Sequence, residues 1–207
     1  MDTAQTLPVC AYDTLSPEKT LQFPYHIPNT DLWVDEMIAY DGLSVDAASG
    51  QELFTAVAVL IHNSGNKGVE SAEIVITQKD RQLCFAAESI PPGGMVLVTE
   101  RSCNEYIQGI YTNCWVKKYI KADNWWAEDA PYIVPVSMHA LEITNPYDYP
   151  LEQVWLHYKN YYADRQMYVG GITYKVGIRK LFPGQTVRIE PPNYAYGFSR
   201  IARVTVG

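Results

Sequence analysis

The sequence predicts an all-β protein made of two tandem antiparallel β-sandwiches related by an internal repeat, and three observations predict it. The first is composition: among 207 residues, 16 Tyr, 5 Trp and 5 Phe suit pleated, half-buried surfaces, and 13 Pro with 13 Gly supply the turns between them. The second is period. Short apolar runs alternate with polar residues and are separated by turn signals, and no amphipathic helix longer than two turns is legible. The third is self-similarity. "SIPPGGMVLV" and "LFPGQTVRI" both read as a strand end, a Pro-Gly turn and a new strand, with Pro92-Gly93 and Pro183-Gly184 at an offset of 91.

The flanks of the two turns extend the match. Residues 56–76, "AVAVLIHNSGNKGVESAEIVI", and residues 138–158, "MHALEITNPYDYPLEQVWLHY", align at an offset of 82, setting Asn63 on Asn145, Val69 on Leu151, Glu70 on Glu152 and Ile74 on Leu156. Past the turns, Tyr106 falls on Tyr194 and Gly109 on Gly197 at an offset of 88. The step from 82 to 91 places nine extra residues of the second copy within 159–180, which reads as a longer, Tyr-rich hairpin with Gly170-Gly171 at its turn or at a bulge.

Taken in order, residues 1–30 hold four Pro and little periodicity and read as an extended arm. Residues 31–119 form the first sandwich. Within it, 31–46 is expected to be an added strand pair turning at Asp41-Gly42, and "KDRQ" at 79–82, like "ADRQ" at 163–166, marks a solvated hairpin tip. Residues 120–132 are the linker and 133–207 the second sandwich, and a linker of this kind predicts independent motion by default.

Several function classes are disfavoured. A net charge of −7 with 16 Lys and Arg argues against nucleic acid, whose binders cluster cations against phosphate. No apolar stretch is long enough for a membrane span, and no signal peptide is visible at the N-terminus. Cys10, Cys84, Cys103 and Cys114 show no metal spacing, although Cys103 and Cys114 would close a short loop in an oxidising compartment. His26, His62, His139 and His157 are dispersed, without His-x-x-x-His spacing, and Glu128 and Asp129 read as linker charges rather than calcium ligands. Neither catalysis nor a cofactor is expected.

The aromatics carry the candidate site. Trp125 and Trp126 lie near the junction, and Tyr161, Tyr162, Tyr168 and Tyr174 crowd the long hairpin. Flat rings with polar edges stack on sugars or anchor protein interfaces; the same rings also serve cross-strand pairing and core packing. Trp155 faces away from Val154 and Leu156, so one face of its strand must meet something other than its own core.

The alternating run ending in Thr144-Asn145, the loop after it, "LEQVWLHY" at 151–158 and "LFPGQTVRI" resemble the immunoglobulin-like modules found outside the membrane in Gram-positive bacteria, including FxLYD-type domains. The resemblance spans 54–116 and 136–207, with Val154-Trp155-Leu156-His157-Tyr158-Lys159 standing where that family carries its characteristic hydrophobic stretch. It implies an extracytoplasmic, cell-surface setting, given a leader that this chain does not carry, and a structural or protein-binding role without chemistry. A protein partner or a cell-wall glycan is the expected ligand, a carbohydrate-binding accessory being the alternative.

Overall fold

A computed structural model describes residues 20–46, 51–79 and 81–207. Its strands are β1 (Tyr25–His26), β2 (Leu32–Leu43), β3 (Glu52–Asn63), β4 (Val69–Gln78), β5 (Arg81–Ile90), β6 (Met95–Thr99), β7 (Tyr111–Lys121), β8 (Tyr132–Pro135), β9 (Leu141–Thr144), β10 (Leu151–Tyr162), β11 (Met167–Leu181), β12 (Thr186–Ile189) and β13 (Ser199–Val206). The described residues form no α-helix; a single 3-10 turn, Ala163–Arg165, joins β10 to β11. The chain is therefore all-β and sandwich-like, as its alternating runs predict.

Three sheets form. The large one has seven strands in the order β1-β2-β3-β6-β11-β10-β13, and two three-stranded sheets run β5-β4-β7 and β12-β9-β8. Each small sheet covers one half of the large one over its own core. Val57, Val59, Ile74, Phe85, Val96 and Val98 pack in the first core, and Leu141, Ile143, Val154, Leu156, Tyr158 and Val204 in the second.

The halves meet where β6 and β11 run parallel, Tyr168 opposite Val96 and Val169 opposite Leu97. Sheet continuity thus replaces the loose tether that the linker suggests. Alternation along β10 then decides where the small sheets lie. Val154, Leu156 and Tyr158 point into the second core, whereas Lys159 reaches Glu88 of β5 and Tyr161 packs on the first core. Because successive side chains of a strand point to opposite faces, the two small sheets lie against opposite faces of the large one. Each half of the large sheet consequently keeps one face uncovered by a sheet.

Local chemistry is shared between the halves. Asn63, fully buried at the end of β3, donates from Nδ2 to Lys67 O at 2.9 Å and Ile90 O at 3.4 Å, while its Oδ1 accepts from Gly65 N at 3.1 Å. Asn145, equally buried at the end of β9, donates to Tyr149 O at 2.8 Å and Leu181 O at 2.9 Å and accepts from Tyr147 N at 3.0 Å. Gly93 and Gly184 take φ of 65° and 67° in the two Pro-Gly turns, a region that favours glycine.

Several elements differ from the sequence reading. Asp41-Gly42 is no turn: β2 runs through it, with a register shift between Tyr40 and Gly42 against β3. Part of the expected N-terminal arm belongs to the first half, since β1 pairs with β2 and Leu21 and Ile27 are core residues; residues 1–19, with Cys10, lie outside those described. β7 continues to Lys121, inside the expected linker, and the rest of that segment is docked, with Trp126 bridged to Val204 and Ala127 N donating to Val204 O at 3.0 Å. Gly170-Gly171 forms a bulge: β11 jumps from Val169 to Tyr174 while β10 advances only from Asn160 to Tyr158. Cys103 and Cys114 are both free, and burial pushes the Cys114 thiol up to about 12.

Candidate functional site

Two places combine polar groups with shape. The first is a cleft of 280 Å³ at the junction, lined by Asp46, Glu88, Glu100, Arg101, Cys103 and Ile172 among others. Its carboxylates are committed to the backbone. Glu100 accepts from Cys84 N, Ser102 N and Asn104 N at 2.9–3.2 Å and from Asn104 Nδ2 at 2.8 Å; Asp46 accepts from Gly171 N and Ile172 N at 2.9 and 3.0 Å, and Glu88 from Thr173 N at 3.3 Å. Such carboxylates satisfy strand-edge amides that would otherwise lack partners. Asp46 and Glu88 thereby hold the joint together, while Glu100 orders the loop after β6 within the first half.

Beside the cleft, Lys159 is fully buried and donates to Glu88 O at 2.7 Å and Gly171 O at 3.2 Å. Burial pulls its ammonium down to about 8, opposed by Asp46 and Glu88. The residue thereby ties the outer edge of β5 to the bulge of β11.

The second place is the uncovered face of β11-β10-β13. Outward along β10 stand Trp155 and His157, with Lys175 and Arg203 flanking His157 on the two neighbouring strands; farther along the same side, Tyr161 meets the first core. Three cations sit over three rings here. Lys175 Nζ lies 4.0 Å from the Trp155 ring centre, Arg200 Cζ 4.8 Å from that of Tyr161, and Arg203 Cζ 5.6 Å from that of Trp125. Arg200 also donates to the Tyr161 hydroxyl at 2.8 Å, and Arg203 pairs with Glu70 at 3.4 Å. Glycines make room for the indoles: a Cβ at Gly177 would come within 2.5 Å of Trp155, and one at Gly68 within 1.7 Å of Trp125. His157 is held down to about 4, first by burial and then by Arg203 and Lys175, against the opposite pull of Glu70. Arg203 Nε is buried without a partner.

The six aromatics singled out in the sequence do not form one surface. Trp125 stands against the uncovered face and Tyr161 at its end, against the first core, each half-buried under an arginine. Trp126 is 50% exposed beside β13 and Tyr162 47% exposed at the end of β10. Tyr168, 7% exposed, belongs to the first core and meets Tyr161 edge-on at 5.2 Å; Tyr174 stacks on Tyr158 at 5.6 Å against the second core. The sequence reading passed over Lys175, Arg200 and Arg203. Their signal is legible in retrospect: β10, β11 and β13 hold six Lys and Arg residues (Lys159, Lys175, Arg179, Lys180, Arg200, Arg203) against one carboxylate, Glu152, in a chain of net charge −7.

Compared with known proteins, the chain matches no protein-family model and no curated sequence.

Proposed function

We propose that this chain is a non-enzymatic module of two tandem immunoglobulin-like β-sandwiches related by an internal repeat, acting as a spacer or protein-binding unit of a bacterial cell envelope. The observation that carries the reading is the joint: a single sheet runs through both halves and Lys159 ties them, so the pair behaves as one stiff body. Stiffness is what a spacer or a presenting scaffold requires, because it removes the entropy of ordering two tethered halves on engagement. The repeat is supported by the matched hydrogen bonds of Asn63 and Asn145 and by the matched pairings β3-β6 and β9-β12, β4-β5 and β10-β11, β4-β7 and β10-β13. The extracytoplasmic setting rests on the family resemblance.

The test is the distance between spin labels at Lys79→Cys and Glu190→Cys, with the native Cys10, Cys84 and Cys103 replaced by Ser. A single narrow distribution is expected. A broad or two-peaked distribution would mean that the halves flex, and the spacer reading would fall.

A carbohydrate-binding role is favoured by a separate observation, the three cation-ring pairs on the uncovered face.

A further inference from the structure

We propose that the uncovered face of β11-β10-β13 binds a linear anionic polysaccharide, held by the exposed Lys175, Arg179 and Arg200. The proposal rests on the non-catalytic reading above and names the partner class. On the outward side of these strands stand three exposed cations, Lys175, Arg179 and Arg200, none with an ion-pair partner among the described residues; on the same side Lys159 is buried, and Arg203, 14% exposed, is already paired with Glu70. Lys175 and Arg200 are each placed over a ring, so their charges are positioned before any ligand arrives.

Spacing selects a chain over a small anion. Lys175 and Arg179 lie four residues apart on β11, roughly 13 Å, and Lys175 and Arg200 stand on strands either side of β10, roughly 10 Å apart or more. These cations line a flat face and do not converge on a point, which suits charge repeated along a polymer. The margin of the face selects the kind of polymer. An acidic peptide joining a sheet would add to its free edge, but the edge at β13 is interrupted at Val204, which Trp126 bridges and to which Ala127 N is bonded. A polysaccharide needs no backbone ladder. The half-exposed Trp126 ring stands at that same margin, where a sugar ring can lie flat against it.

The experiment titrates the full chain at low salt with dextran sulfate, polygalacturonate, neutral dextran and poly-L-glutamate, reading affinity by calorimetry. The first two arms distinguish sulfate from carboxylate as the source of charge, and binding of either upholds the proposal. Because the whole protein is acidic, binding of a polyanion requires a segregated basic face, and affinity is expected to fall steeply with salt. The double variant K175E/R179E, both exposed positions, is expected to weaken binding at least tenfold with its unfolding midpoint unchanged. Failure of both charged polysaccharides to bind, or undiminished binding by the variant, overturns the proposal. Poly-L-glutamate binding as tightly as the polysaccharides also overturns it and reassigns the face to an acidic protein. None of these outcomes depends on the spin-label distance, so the module reading stands or falls separately.

Discussion

Lys159 is a costly residue to have buried, and its surroundings explain why it is retained. Two backbone carbonyls accept its protons, one from each half, so removing the side chain leaves both acceptors dry. Lys159→Met is expected to lose about 2 kcal/mol near pH 7, at roughly 1–3 kcal/mol for each buried group left unpaired, partly offset by relief of the buried charge. The pH dependence separates the two effects. The folded pKa, about 8, is below the ordinary 10.5, so between these values the unfolded chain binds the extra proton and stability attributable to Lys159 rises with pH. Urea titrations of wild type and Lys159→Met from pH 7 to 10.5 should therefore show wild type gaining on the variant; a constant gap would mean that the lysine is not charged-form destabilised. His157 follows the same sign at lower pH. Its folded pKa of about 4 against 6.5 means that its contribution is present above 6.5 and is lost as pH falls toward 4. Wild type should lose more stability over that window than His157→Gln.

At the scale of elements, β6 and β12 occupy matching places in the two halves and have different neighbours. "MVLVT" in β6 is apolar on both faces, as a strand flanked on both sides must be, and it lies between β3 and β11. "TVRI" in β12 alternates and carries Arg188 outward, the pattern of a short, protected edge. That difference was readable in the sequence, as were the paired Asn residues, the Pro-Gly turns and the alternating runs, because each is a local rule. The joint was not. Parallel pairing of Tyr168-Val169 with Val96-Leu97 joins segments some seventy residues apart and leaves no periodic trace. The basic face was hidden for a related reason: Lys175 and Arg203 become neighbours only through the register of β10, so the excess of cations along these segments does not by itself show that they share a face. Gly171 is the place where the joint is tightest. A Cβ there would stand 1.9 Å from Ala86 O, a backbone atom that cannot swing aside, so Gly171→Ala is expected to cost about 1–3 kcal/mol as overpacking. Gly184→Ala, where the surrounding space is open but φ is 67°, tests backbone strain without crowding; it should leave the spin-label distance unchanged, whereas Gly171→Ala should shift or broaden it.

For the whole molecule, the placement of the small sheets on opposite faces makes the halves dependent on each other in an unequal way. Without the second half, β6 would present a bare outer edge, and Leu97, buried in the intact chain against Met167, would lose that cover. Exposed, long-range apolar edges invite pairing between copies. The second half alone would expose Tyr168 and Met167 of β11, both buried at present against residues of the first half. We therefore expect the full chain to unfold in one cooperative transition, although it contains two separate cores, because the free energy of the joint is shared by both. Calorimetry on the full chain should give one endotherm with matching calorimetric and van't Hoff enthalpies. A fragment of residues 20–122 should self-associate at micromolar concentration in sedimentation, and Leu97→Lys within that fragment should reduce the association by charging the bare edge. Two resolved endotherms in the intact chain, together with a monomeric fragment, would mean that each half closes its own edge and that the continuous sheet contributes little to the stability of either.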